Sequence, residues 1–240
     1  MNPCHSVTMT NDLMPRRTSS RAWAVVPFLL LAVVHLIALG AGLPELADWT
    51  KPLLMPALML AVLIGAGRRG GIGIVLIVAA LAFSWLGDVL LSSPGDIGFL
   101  LGLAAFFLAH LVYLVAFSSS FRRRRVPPLA ALYVLWWLAF VLLLQPSLGT
   151  LLIPVAAYGL VLGASGAVAL ATNRLTALGA LLFVCSDSLL ACRIFLPDFE
   201  LVQQDLIIMA LYLAGQGLIV WGAVRSAAAG TRRSPAQPAG

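Results

Sequence analysis

Along this 240-residue chain, apolar residues come in eight long runs parted by short polar stretches. The runs cover about residues 22–39, 52–66, 72–92, 97–118, 127–145, 149–171, 175–196 and 203–224. Each is near the ~20 residues a helix needs to cross the hydrocarbon core of a bilayer. In lipid a helix satisfies its own backbone groups, so the elements this pattern predicts are transmembrane helices. The expected fold is all-α: a polytopic membrane protein with an eight-transmembrane-helix bundle over 21–226, both termini cytoplasmic. Residues 1–20, with Pro3, Pro15 and the Arg16-Arg17 pair, and residues 227–240, with Pro235 and Pro238, read as disordered cytoplasmic tails. The first run follows Arg21, is long for the apolar part of a signal peptide, and precedes further membrane segments. It reads as a retained helix. The second run is short and opens Lys51-Pro52-Leu53-Leu54-Met55-Pro56. That places a proline in the first helical turn, where its missing N–H costs nothing.

Composition strengthens this picture. The chain is 61% hydrophobic and 10% charged, with a mean hydropathy of +1.01, against about 25% charged residues in soluble domains. Its net charge of +6 raises nucleic acid as a partner, but the arginines sit in short clusters between apolar runs. Arg16, Arg17, Arg21, Arg68, Arg69, Arg122, Arg123, Arg124, Arg125, Arg174, Arg225, Arg232 and Arg233 all fall at alternate ends of the predicted helices. The opposite ends carry Glu45, Asp48, Asp96, Asp198, Glu200 and Asp205, with Lys51 and Arg193 as the cations there. This alternation puts 13 of the 15 basic residues on one side, the positive-inside signature beside anionic lipid. The partner implied is the lipid bilayer of the cell membrane, with no nucleic acid. Cys4, Cys185 and Cys192 form no disulfide framework, and the last two read as small hydrophobes.

Two residues break the apolar pattern. Asp88 lies in Phe83-Ser84-Trp85-Leu86-Gly87-Asp88, and Asp187 in Phe183-Val184-Cys185-Ser186-Asp187. An acidic side chain at membrane depth is expensive and marks a functional site by default. At 1.5 Å per residue, Asp88 stands ~24 Å and Asp187 ~18 Å from the arginine-rich face. Both fall in the outer half, with His35, Lys51 and Arg193. His110 and Tyr113, three apart on the fourth helix, share a face, as do Tyr212 and Gln216, four apart on the eighth. Asp-x-Leu-Leu recurs at 88–91 and 187–190, and each aspartate precedes a tyrosine, Tyr113 or Tyr212, by 25 residues. That spacing is compatible with two parallel four-helix halves.

A structural reading stands beside each of these features. The aspartates could cap helices, the histidines could be hydrogen-bonded interior residues, and Lys51 and Arg193 could snorkel. A metal site lacks the His-x-x-x-His or Glu-x-x-His spacing, so none is expected, and no cofactor motif is present. The glycine-rich stretch 65–73 reads as a turn, not a nucleotide site, and Trp136 and Trp137 as packing residues. Two carboxyls in one water-poor cavity resist ionising together. Such a pair supplies one general acid and one general base.

The motifs Lys51-Pro52-Leu53-Leu54-Met55-Pro56, Phe83 to Asp88, Ala109-His110-Leu111-Val112-Tyr113, Phe183 to Ser188, and Tyr212-Leu213-Ala214-Gly215-Gln216 occur in this order over about 45–222. Together they resemble the lysoplasmalogenase family of YhhN-like membrane proteins. The resemblance implies hydrolysis of the vinyl ether of a lysophospholipid, releasing a fatty aldehyde and a glycerophospho-headgroup. For that chemistry Asp88 and Asp187 are the expected catalytic residues, with His110, Tyr113, Tyr212 and Gln216 positioning substrate or water and Lys51 meeting the phosphate. The competing classes are a small proton-coupled transporter and a non-catalytic lipid-binding protein. A closed lipid-shaped pocket favours the enzyme, and a path open to both faces favours the carrier. Oligomeric state has no signal in the sequence.

Overall fold

The computed structural model describes residues 21–67, 71–121 and 124–230. Among them every regular element is helical. Eight α-helices follow in order: α1 Val26–Gly40, α2 Pro44–Ala66, α3 Ile72–Leu91, α4 Asp96–Ala116, α5 Ala131–Leu148, α6 Leu152–Ala169, α7 Arg174–Phe195 and α8 Gln204–Gly230. A 3-10 turn leads into α1 and a π-helical turn, Phe117–Phe121, extends α4. By length and composition, seven helical stretches among the described residues qualify as membrane spans. One of these is the 42-residue stretch Pro128–Ala169, which holds both α5 and α6.

Within that stretch the chain doubles back. Gly149 ends α5 at a φ of +49°, a left-handed conformation open to glycine. A short 3-10 turn at Gly149–Leu151 follows. The two helices then pack side by side: the Trp137 indole donates to the Ala156 carbonyl at 2.9 Å, and Tyr133 lies against Gly166.

Two expectations change. The second helix begins at Pro44, eight residues before Pro52, because Pro44 supplies a helix-compatible first residue and Glu45 an anion in the first turn. Pro52 and Pro56 are therefore inside the helix. Pro56 has no N–H for the Pro52 carbonyl, and the Trp85 indole of α3 donates to that carbonyl instead, at 2.9 Å. At the other end α8 runs to Gly230, so residues 227–230, read as tail, are helical. The remainder of that tail and the tail at 1–20 lie outside the described residues.

The helices pack in a repeating order. In the first half α1 packs on α2, α2 on α3 and α3 on α4; in the second, α5 on α6, α6 on α7 and α7 on α8. Between halves, α4 lies on α6 and α8 on α2. The α7–α8 seam is built from small residues: a methyl group on Gly179 would sit 2.6 Å from the Gly215 carbonyl. Such close backbone approach is how helices associate where lipid is as apolar as leucine.

The contacts also sort the helix ends. The start of α3 at Gly73 meets the end of α4 at Ser120 and Phe121. The Arg124 guanidinium donates to the Leu170 carbonyl at 3.3 Å, at the end of α6. Asn173 caps α7 by accepting from the Leu175 and Thr176 N–H groups, and donates to Gly222 and Ser226 of α8. These ends, which carry the arginine clusters, therefore share one face of the bundle.

Candidate active site

Toward the opposite face the helices part around a cavity of about 490 Å³. Most of its wall is apolar, supplied by Leu91, Phe99, Leu103, Phe106, Leu190, Ile208 and Met209. Asp88, Asp187, Tyr158, Tyr212, His35 and Lys51 interrupt that lining. The two aspartates, almost a hundred residues apart in sequence, thus meet at one space. A volume of this size accommodates a small amphiphile in a mostly apolar pocket with a few placed polar groups.

Each carboxyl is held by one phenol. Tyr212 of α8 donates to Asp88 Oδ2 at 2.7 Å, and Tyr158 of α6 donates to Asp187 Oδ2. Asp88 and Tyr212 are buried, and Asp187 and Tyr158 are half-buried. A phenol bonded to one carboxyl oxygen fixes the rotamer and leaves the second oxygen for substrate. Tyr158 is the residue that sequence reasoning missed. Its signal is weak: a tyrosine deep in an apolar helix needs a partner for its hydroxyl, but nothing in the surrounding Ala157-Tyr158-Gly159 names that partner.

Below the cavity lies a second polar layer. Tyr113 donates to Gln216 Oε1 at 2.6 Å, and Gln216 Nε2 donates to Ser84 at 3.1 Å. Ser84 and Asp88 are four apart on α3; Gln216 and Tyr212 are four apart on α8. The two helices are therefore joined by two rungs, and the lower rung sets the register that places Tyr212 on Asp88. Tyr113 and Gln216 are buried and do not line the cavity; they stand one turn beneath it.

His110 also lies outside the cavity wall. Its ring packs edge-on against Phe183, with centroids 4.6 Å apart, and its Nδ1 is 3.0 Å from the Ser165 hydroxyl. Phe106, Phe183 and Tyr212 pack edge to face, at 5.3–6.4 Å between centroids, and form the aromatic floor. Phe106 fits because α3 has Gly87 there: a methyl group would come within 2.5 Å of its ring. Trp136 donates to the Ser188 hydroxyl at 3.1 Å, which braces α5 beside Asp187.

Charged groups gather at the outer part of the wall. Lys51 donates to Ser92 Oγ at 3.0 Å, and that hydroxyl donates to the Asp88 carbonyl at 2.9 Å. Lys51 is therefore tied one turn above Asp88. Arg193 forms an ion pair with Asp205. Lys51 makes no ion pair among the described residues, which leaves its ammonium for an anion. His35 is buried in the α1 side of the wall, its Nδ1 2.8 Å from Thr50 Oγ1.

The fold and site define a multi-pass helical membrane protein whose cavity presents two tyrosine-held carboxyls, a lysine and a mostly apolar wall. Residues 46–223 match the YhhN family, and the chain belongs to that family. It is 33% identical over 210 residues to the rat (Rattus norvegicus) protein named lysoplasmalogenase TMEM86B, covering 86% of this chain and 85% of that one. The mouse (Mus musculus) protein of the same name is 33% identical over 222 residues, with coverage of 91% and 92%. The human (Homo sapiens) one is 36% identical over 207 residues, with coverage of 83% and 86%. No solved structure matches.

Proposed function

We propose that this protein is a membrane-embedded hydrolase that cleaves the vinyl ether bond of lysoplasmalogen-type lysophospholipids. The observation that carries the reading is the pair of phenol-held carboxyls on one apolar cavity, in a chain similar over most of its length to proteins named lysoplasmalogenase. The products are a fatty aldehyde and a glycerophospho-headgroup.

The chemistry follows from what a vinyl ether needs. One protonated aspartate delivers its proton to the far carbon of the double bond, leaving an oxocarbenium ion at the carbon next to oxygen. The other, ionised, carboxylate stabilises that cation, as carboxylates do in glycoside cleavage. It then takes a proton from the water that adds to the cation. In the resulting hemiacetal the first carboxylate, now ionised, takes the hydroxyl proton while the second, now protonated, gives its proton to the glycerol oxygen; that C–O bond breaks, the aldehyde leaves and both carboxyls return to their starting states. Asp88 and Asp187 fill these two roles, positioned by Tyr212 and Tyr158. Lys51 meets the phosphate. Tyr113, Gln216 and His110 act from the layer beneath, holding the register of α3, α8, α4 and α6. That filled layer supports an enclosed pocket over a carrier path through the membrane.

In the membrane we read α5 and α6 as two crossings, giving eight spans with both termini in the cytoplasm. The cavity then lies in the outer half of the cell membrane, where a single-chain lipid enters between helices.

Aldehyde release from lysoplasmalogen by the purified protein tests the proposal. Wild type is expected to release it, and Asp88→Asn and Asp187→Asn each to lose at least ~100-fold in kcat, on the scale of removed acid–base groups. A wild type inactive on every alkenyl ether, or full activity in both variants, would sink it.

A further inference from the structure

The hydrogen bonds around Thr50 favour one tautomer of His35. Thr50 Oγ1 lies 2.8 Å from the Leu46 carbonyl and 3.1 Å from the Ala47 carbonyl, so its one hydrogen is directed to those acceptors. With the hydrogen so directed the hydroxyl offers His35 its lone pairs, and Nδ1 at 2.8 Å is then the donor. A neutral ring with its hydrogen on Nδ1 carries a lone pair on Nε2. Among the described residues that nitrogen has no hydrogen-bond partner. The side chain is 1% exposed, yet it forms part of the cavity wall.

A buried acceptor without a donor is unfavourable, and a ligand that supplies the donor removes the penalty. An ionised carboxylate accepts only and does not meet the need; an O–H or N–H group does. The position of His35 narrows the choice. His35 lines the same cavity as Lys51 and Asp88, and the residue that holds its ring, Thr50, directly precedes Lys51 on α2. In a lysophospholipid the group between the phosphate-bearing carbon and the ether-bearing carbon is the carbon that carries the free glycerol hydroxyl.

We infer that His35 is a specificity-determining residue whose Nε2 accepts a hydrogen bond from the free glycerol hydroxyl of the substrate. The inference rests on the lysophospholipid reading of the cavity and adds the residue that reads the backbone of that lipid. Thr50 is its positioning partner: it holds the ring and keeps the lone pair on Nε2. Where a site is built to bond a hydroxyl, the analogue lacking it is rejected because the site's own polar group is left unpaired.

The test compares two alkenyl ethers in detergent, 1-alkenyl-glycero-3-phosphocholine and its analogue with hydrogen in place of the free hydroxyl. Wild type is expected to favour the hydroxyl-bearing lipid by about 10- to 100-fold in kcat/KM. His35→Phe, which keeps a ring but has no acceptor, is expected to turn over both lipids at similar rates. Equal turnover of the two lipids by wild type overturns the inference, whether or not the variant folds. So does a His35→Phe enzyme that keeps the full preference, even if slower on both. No aldehyde from the hydroxyl-bearing lipid is a different failure: it overturns the hydrolase reading and this inference with it.

Discussion

At the scale of single residues, the site is a matter of which phenol holds which carboxyl. Asp88 and Asp187 were legible from sequence because a charge in an apolar run is an exception that asks for a reason. Their partners were not. The 25-residue spacing ties Asp187 to Tyr212 along the chain, yet Tyr212 donates to Asp88. Tyr113, the counterpart by spacing, donates to Gln216 instead. Asp187 takes its phenol from Tyr158 on α6, a helix whose sequence stands out in no way. Three-dimensional pairing between distant helices leaves no trace in one sequence when both partners are common residue types. A hydrogen bond to a charged group contributes about 1.5–3 kcal/mol. If that strength is expressed in the reaction, Tyr158→Phe and Tyr212→Phe each lower kcat by about 10- to 100-fold. Steady-state kinetics on detergent-solubilised protein measures this, with KM nearly unchanged because the phenol hydroxyls are committed to the carboxyls. A rise in KM at constant kcat would show that the tyrosines bind substrate directly.

At the scale of helices, apolar runs located every element but not every boundary. In sequence the second apolar run opens only at Lys51, because Glu45, Asp48 and Thr50 make the first two turns of α2 look like a loop. In the fold these polar residues face different surroundings: Glu45 and Asp48 are exposed, while Thr50 is buried and holds His35. Hydropathy averages over faces and so misses a helix that begins outside the apolar slab. Nor does it see how closely two helices approach. Gly179 and Gly215 bring α7 and α8 to backbone contact, and these helices carry Asp187 and Tyr212. Gly179→Ala pushes a methyl into the Gly215 carbonyl and the Ile219 N–H group, 2.6 and 2.8 Å away, where backbone cannot give. Overpacking of this kind costs about 1–3 kcal/mol. The expected result is a clear fall in the thermal unfolding midpoint in detergent, together with loss of activity. Gly71→Ala is the control, since a methyl there meets nothing within 4 Å. Equal melting of the two variants would mean that the seam tolerates separation.

At the scale of the whole molecule, the number of crossings decides which way the cavity faces. The stretch Pro128–Ala169 is 42 residues long, or ~63 Å at 1.5 Å per residue, twice the ~30 Å of a hydrocarbon core. As one straight crossing it would leave half its apolar length in water. Folded back at Gly149, it packs Trp137 and Tyr133 against Gly159 and Gly166, which supports the proposed reading of two crossings. The parity then follows. With two crossings the total is eight and the chain ends on the side where it began. With one it is seven, and the ends lie on opposite sides. The arginine clusters agree with eight, because the ends of α4, α6 and α8 and the starts of α3 and α7 meet at one face. Reporter fusions active on one side of the membrane check this directly. Fusions after residue 240 and ahead of residue 1 are expected to report the cytoplasm, and one inserted at the Gly149–Leu151 turn the opposite side. Termini on opposite sides would reverse the facing of either α5 or α6, and the cavity mouth at Lys51 and Arg193 would no longer be set by the arginine pattern.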